Sequence, residues 1–326
     1  MRYLYPAWFA CVMGLSGLSL AWHRAGGGVG AVLSLFIGAF AAIGFALLLA
    51  LTVWRGLRHG DAVREDWHHP VRHAFFATLP ISMILLATVA VAQGAPLPLA
   101  HALWVCGAAL QFAVTVWVVS RWLRGADGKL AWPSFTPVLF IPVVGNVLTP
   151  LAGSAVGHPD WAAAQFGIGL LLWPIVICLM AVRIGLIGLW PPRMLASTFI
   201  TVAPPSVVGL AALQLQAPAT LAWMAWGMAL FFLAWSCTVV PRLRGQPFSL
   251  PFWGTSFPLA AFAALSLRLA TDAGPAFTAF AHAALALATA VIATLVLLTL
   301  RGLLNGSLLQ PEPAPPAPQT TQSAIA

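Results

Sequence analysis

Ten long apolar stretches, joined by short polar connections, limit the folds that this chain can adopt. A helix needs about 20 apolar residues to cross the hydrocarbon core of a bilayer, and most of the stretches reach that length. They cover residues 4–22, 29–54, 74–94, 98–120, 135–156, 161–182, 194–214, 218–240, 249–270 and 275–300. Charged residues make up only 7% of the chain, against about 25% in soluble domains. We therefore predict an all-α integral membrane protein with ten transmembrane helices.

The basic residues are distributed as topology signals rather than as a nucleic-acid-binding patch. The formal net charge is +8, but the 15 Lys and Arg residues are scattered between apolar stretches. Thirteen of the 15 fall on one side of the predicted membrane, and only Arg24 and Arg268 fall on the other. Because cytoplasmic loops carry the excess of Lys and Arg, both termini are predicted to be cytoplasmic. We expect the lipid bilayer as a partner and no nucleic acid.

The C-terminal end differs in composition from the rest of the chain. Residues 304–326 include the Pro-rich run Pro311–Pro316 and then a polar run rich in Gln and Thr. Such sequence cannot bury an apolar core. We predict a ten-helix transmembrane domain over residues 1–303 and a disordered cytoplasmic tail over residues 304–326.

Four of the odd-numbered stretches carry a proline well inside the span, at Pro80, Pro142, Pro204 and Pro258. The first three prolines are 62 residues apart and the last interval is 54, close to one helical hairpin for each repeat. Proline breaks a helix in lipid only where neighbours or a cavity satisfy the freed carbonyls. The spacing therefore predicts five helical hairpins, with bent odd helices around a central path and straight even helices facing lipid.

The odd stretches contain hydroxyl and amide side chains but no charge apart from Arg268 at the outer end of the ninth, so the path is expected to lack strong binding sites. Each such residue alone is explained at least as well by helix packing. The candidates for lining the path are Ser16, Thr78, Ser82, Asn146, Thr149, Thr201, Ser206, Thr255 and Ser256.

One polar connection, residues 61–73, suggests metal chemistry as an alternative. His69 and His73 have HxxxH spacing beside acidic residues, and they share a helical face if Pro70 begins that helix. Metal enzymes of the membrane need more ligands than these two, and the other histidines are scattered over other segments. The four cysteines form no CxxC pair. We predict no metal, no cofactor and no enzymatic site.

Four short motifs carry a resemblance to a known family. They are His69-Pro70-Val71-Arg72 at the third span, Pro142 with Asn146 in the fifth, Ala203-Pro204-Pro205 in the seventh, and Pro247-Phe248 followed by Phe252-Trp253 and Ser256-Phe257-Pro258 in the ninth. In this order the chain resembles, over residues 1–303, the tellurite-resistance/dicarboxylate-transporter family. That family includes bacterial TehA-type proteins and the plant guard-cell slow anion channels.

The resemblance implies a fold and a function. In that family ten helices form five hairpins in a quasi-five-fold arrangement, the odd helices line a pore, and three subunits associate with one pore each. A phenylalanine on the ninth helix occludes the pore, and by motif it falls on Phe257. The expected function is a channel of the bacterial inner membrane that passes small monovalent inorganic anions passively.

Two points remain open. Relatives commonly carry an aromatic residue two positions before the occluding phenylalanine, whereas this chain has Thr255. The wider family also suggests a proton-coupled dicarboxylate carrier or an exporter of tellurite or sulfite. A carrier needs a coupling residue in the inner spans, and the interior of the odd stretches has none, since Arg268 lies at the outer end of the ninth.

Overall fold

The computed structural model describes residues 2–124 and 132–310, and within them the chain is helical throughout, with no strand. Most of the predicted tail lies outside the described residues. The α-helices are α1 Phe9–Ala25, α2 Gly27–Arg58, α3 Gly60–His68, α4 Thr78–Ala92, α5 Leu97–Leu123, α6 Phe140–Val144, α7 Pro150–Gly153, α8 Pro159–Ile187, α9 Ala203–Gln214, α10 Ala219–Cys237, α11 Val240–Leu243, α12 Ser256–Ala270 and α13 Gly274–Leu304. Short 3-10 helices cover Pro6–Trp8, Arg72–Ala77, Trp132–Ser134, Pro137–Leu139, Gly145–Leu148, Pro192–Val202 and Leu250–Thr255.

Eight helical stretches of the described chain are long and apolar enough to cross a membrane. They are Gly27–Arg58, Arg72–Ala92, Leu97–Leu123, Pro159–Ile187, Pro192–Gln214, Ala219–Cys237, Leu250–Ala270 and Gly274–Leu304. Of the ten predicted spans, the first and the fifth are not among these eight because their helices are too short. The first is α1, with 17 residues. The fifth, Pro137–Gly153, is divided into several short helices, with a new one beginning at Phe140, Gly145 and Pro150.

The four predicted bend prolines share one position in the structure: each lies in the first turn of an α-helix that continues a 3-10 helix. The N–H groups of a first turn have no partner inside an α-helix, so proline removes little there. The prolines therefore mark the change from 3-10 to α geometry and do not sit in the middle of a long helix. Pro80, Pro142 and Pro258 are the third residues of α4, α6 and α12, and Pro204 is the second residue of α9.

The helices of the five odd-numbered spans, here called the odd elements, contact one another in a closed ring. α1 packs on α4, α4 on the divided fifth element, that element on α9, α9 on α12, and α12 on α1. Each also packs on the helix that follows it, as in α1 with α2 and α12 with α13.

The helices of the odd spans are much more buried than the helices of the even spans. Within an 18-residue window, 89% of the residues of Pro192–Gln214 are buried, against 22% in Gly27–Arg58. The even helices thus present wide apolar surfaces outward, as side chains in contact with lipid do.

Candidate functional site

A cavity of about 670 Å³ opens at the end of the ring that carries the chain's N-terminal segment. Every odd element contributes to its wall. Met13 comes from α1, Ile81 from α4, Val144 from α6, Val207 from α9 and Phe257 from α12. The cavity therefore lies on the axis of the ring.

The cavity wall has a polar part, here called the mouth, and an apolar part. The mouth consists of residues that precede the odd helices or follow α13, whereas the apolar part comes from the segments before the odd helices and from the first two turns of those helices. None of the described lining residues is Asp or Glu. The mouth residues are Tyr5, His69, Arg72, Arg193, Ser197, Gln246, Ser249, Ser307 and Gln310.

Phe257, the predicted occluding residue, is the second residue of α12 and only 9% exposed. Its ring lies against α1 at Gly17, where a Cβ would come within 3.0 Å of the ring's Cδ2 atom. Real Cβ atoms rarely approach so closely, so the glycine gives the ring its place. Trp253, another lining residue of the cavity, is fixed because its indole N–H donates to Thr299 Oγ1 at 2.9 Å.

Thr255, at the position where relatives carry an aromatic residue, is not among the cavity-lining residues. Its hydroxyl donates to the carbonyl of Phe252 at 2.9 Å, which satisfies an acceptor at the end of a 3-10 helix. Trp253, two residues before Thr255, does line the cavity.

The nine predicted path-lining polar residues are all buried, and none of them lines this cavity. Seven have hydroxyls that donate to a backbone carbonyl three or four residues earlier: Thr78, Ser82, Thr149, Thr201, Ser206, Thr255 and Ser256. The carbonyls belong to the segments where 3-10 geometry or proline interrupts the α-helical ladder. A lining role for these residues elsewhere along the path stays a prediction. Of the bend prolines, Pro204 and Pro258 line the cavity, whereas Pro80 and Pro142 do not.

Asn146, another predicted lining residue, belongs to a buried network that holds the divided fifth element. The carbonyl of Pro142 accepts from Gln111 Nε2 at 2.8 Å and from Thr115 Oγ1 at 2.6 Å. Asn146 Nδ2 donates to Thr115 at 2.8 Å, and Gln165 Nε2 donates to Asn146 Oδ1 at 2.9 Å. Side chains of α5 and α8 thereby replace the helical bonds that this element cannot make.

The two histidines of the HxxxH motif, His69 and His73, are within hydrogen-bonding distance of backbone atoms. His69 Nδ1 accepts the N–H groups of Val71 and Arg72 at 3.1 and 3.0 Å, which caps the helix Arg72–Ala77. His73 Nδ1 lies 2.9 Å from the carbonyl oxygen of His69. In residues 2–124 and 132–310, no group of three or more His, Cys, Asp or Glu residues is placed to hold a metal ion.

Arg72, the last residue of the HPVR motif, is held by carboxylates. Its guanidinium contacts Asp66 at 2.7 Å and Glu65 at 3.1 Å. Asp66 is fully buried and also pairs with the buried Arg55 at 2.7 Å. This network joins the end of α2, α3 and the start of the third span at the mouth.

The sequence was also compared with known families. The model of the SLAC1 family, described as "Voltage-dependent anion channel", matches residues 3–300. The chain belongs to the SLAC1 family. The resemblance predicted from the sequence is thereby confirmed, and the chain is a multi-pass membrane protein of a family of anion channels and transporters.

Similar proteins of the SLAC1 family include one from Haemophilus influenzae and two from Arabidopsis thaliana. The chain is 26% identical over 268 residues to "Tellurite resistance protein TehA homolog" of Haemophilus influenzae, covering 80% of this chain and 79% of that protein. It is 25% identical over 234 residues to "S-type anion channel SLAH2" of Arabidopsis thaliana, covering 71% of this chain and 45% of the plant protein. For "S-type anion channel SLAH3" the values are 26% over 212 residues, 65% and 33%. The chain thus spans less than half the length of these two plant relatives.

Sequence reasoning missed two parts of the SLAC1-family cavity. The apolar lining residues, such as Met13, Val144 and Val207, resemble any buried residue of an apolar span. Their place within a few residues of the odd-span breaks was the available signal. The sequence identifies Arg193 only as a topology charge, although it lies at the mouth.

Proposed function

We propose that this protein is an anion channel through which small monovalent inorganic anions pass passively, with Phe257 occluding the path. The observation that carries the proposal is the cavity itself: it runs from a mouth with two arginines and no carboxylate, along an apolar wall, to the ring of Phe257. Both relatives from Arabidopsis thaliana are named as anion channels.

The proposed architecture is ten helices in five hairpins around a quasi-five-fold axis, with the odd helices lining the pore. The closed ring of contacts and the repeated 3-10 to α junction support it. We further propose a homotrimer in the bacterial inner membrane, with one pore in each subunit and both termini cytoplasmic. The mouth is then the cytoplasmic entrance.

The proposed mechanism of occlusion is an apolar constriction. A phenyl ring across a narrow apolar path excludes water, so a hydrated ion cannot pass until the side chain moves. With few polar groups on the wall, an anion passing the ring loses part of its hydration and gains little in return. Weak interactions along the path also permit fast release.

A coupled carrier for dicarboxylates, or an exporter of tellurite or sulfite, makes the opposite prediction about rate. Carrier cycles need a conformational change for each substrate and turn over at up to about a thousand per second. We expect the purified protein in planar bilayers to give unitary anion currents far above that rate. Flux at or below it, with protons moving in fixed ratio to the substrate, would exclude the channel.

A further inference from the structure

The two arginines of the mouth differ in their surroundings. Arg72 is bound by Asp66 and Glu65, so its positive charge is offset by neighbouring carboxylates. Arg193 belongs to none of the ion pairs found among residues 2–124 and 132–310. The net positive charge of the mouth therefore rests on Arg193.

Arg193 is also presented toward water by a defined backbone. It is the second residue of the helix Pro192–Val202, it is exposed, and it lines the cavity. Pro191 and Pro192 precede it, and each ring fixes its own φ angle, so the backbone before Arg193 is stiff. Later residues of the same helix, Ser197 and Ile200, continue the cavity wall inward.

We propose that Arg193 forms a weak capture site for inorganic anions at the entrance of the cavity. The inference rests on the proposed channel function and adds a residue and a direction to it. A unit positive charge about 5 Å away in water raises the local concentration of a monovalent anion about fourfold. The guanidinium offers several N–H donors but stays hydrated here, so an anion held by it leaves readily.

The capture site acts on one side of the membrane and only at low salt. Ions that enter the cavity past Arg193 are concentrated by it, whereas ions arriving from the far side meet Phe257 first. The effect is screened as ionic strength rises, since the screening length falls from about 30 Å at 0.01 M to about 3 Å at 1 M.

The test compares Arg193→Gln with Arg193→Lys and with Arg58→Gln in excised patches that expose the cytoplasmic face. Arg58 is the matched control because it is an exposed arginine at the end of α2 that does not line the cavity. At about 10 mM chloride, Arg193→Gln is expected to reduce the unitary current of anions entering from the cytoplasm about threefold. Arg193→Lys and Arg58→Gln should keep the wild-type current, and all variants should converge near 1 M salt.

A second variant, Arg193→Cys, tests the capture site even where Arg193→Gln does not fold. In Arg193→Cys channels, a cationic water-soluble thiol reagent should raise the low-salt current and an anionic one should lower it, with wild type unaffected by either. Equal currents for wild type and Arg193→Gln at low salt, or no difference between the two reagents, would overturn the capture site alone. Absence of anion current in both wild type and Phe257→Ala would instead overturn the proposed function.

Discussion

The ring of Phe257 occupies space that exists only because residue 17 is glycine. A Cβ at position 17 would lie 3.0 Å from Cδ2 and 3.4 Å from Cε2 of the ring. We expect Gly17→Ala to push the ring away from α1 and into the cavity, which lowers the anion current. Overpacking of about 1–2 kcal/mol corresponds to a change of about tenfold.

This effect should depend on the ring, which a double-mutant comparison tests. In a Phe257→Ala background, Gly17→Ala should lower the current much less, because the ring atoms are gone and only the Cβ of Ala260, at 3.2 Å, remains close. Gly44→Ala on α2 is the matched control, since a Cβ there meets nothing within 4 Å. Equal losses in both backgrounds would mean that Gly17 acts on the channel without Phe257.

Among the carboxylates that hold the mouth residue Arg72, Asp66 is expected to be the more costly one to neutralise. Asp66→Asn leaves the buried Arg55 without its counter-charge, and breaking a buried pair in this way costs about 3–5 kcal/mol. We expect a clear fall in the melting temperature of the detergent-solubilised protein. Glu65→Gln, which removes a partly exposed partner of Arg72, should cost less than about 1 kcal/mol. Similar melting temperatures for the two variants would contradict the structural role of Asp66.

Gly145 should be intolerant of any side chain. A Cβ at this position would lie 2.5 Å from Gln111 Nε2 and 2.7 Å from Ile81 Cδ1, inside the network that holds the divided fifth element. Gly145→Ala is expected to destabilise the protein by about 1–3 kcal/mol, measured as loss of thermal stability. Gly167→Ala on α8, where a Cβ meets nothing within 4 Å, is the control and should be neutral or stabilising. A stable Gly145→Ala protein would show that the network can move aside.

Selectivity should follow the ease of dehydration. Because the lining beyond the mouth is apolar, weakly hydrated anions such as nitrate and iodide should be more permeant than chloride, and sulfate should be nearly excluded. Reversal potentials with a different anion on each side give this order directly, and a pH gradient should not shift them. Preference for a dicarboxylate, or a reversal potential that follows the proton gradient, would favour a coupled carrier.

The sequence predicted the membrane class and the family correctly, because apolar length, the placement of Lys and Arg, and the order of the proline motifs are local properties. It did not predict what the prolines do. Pro80 and Pro258 lie at changes from 3-10 to α geometry, and the nearby hydroxyls of Thr78 and Thr255 satisfy backbone carbonyls there. A hydroxyl in an apolar span can serve its own backbone or face a pore, and local sequence does not distinguish these uses.

The composition of the cavity wall depends on how the five odd elements meet. Val144 and Val207 come from segments far apart in the chain and reach the same cavity only after the ring closes. Arg193 shows the same difficulty for a charged residue, since only tertiary structure separates it from the other basic residues at the ends of spans.

The central claim is that Phe257 closes a path that is otherwise open to anions. The direct measurement is the anion-replacement current of reconstituted wild-type protein beside Phe257→Ala, at matched protein density. Removing the ring takes away the apolar occlusion, so the account predicts a conductance at least about tenfold higher in Phe257→Ala, still selective for anions over cations. A well-folded Phe257→Ala protein with wild-type conductance would contradict it.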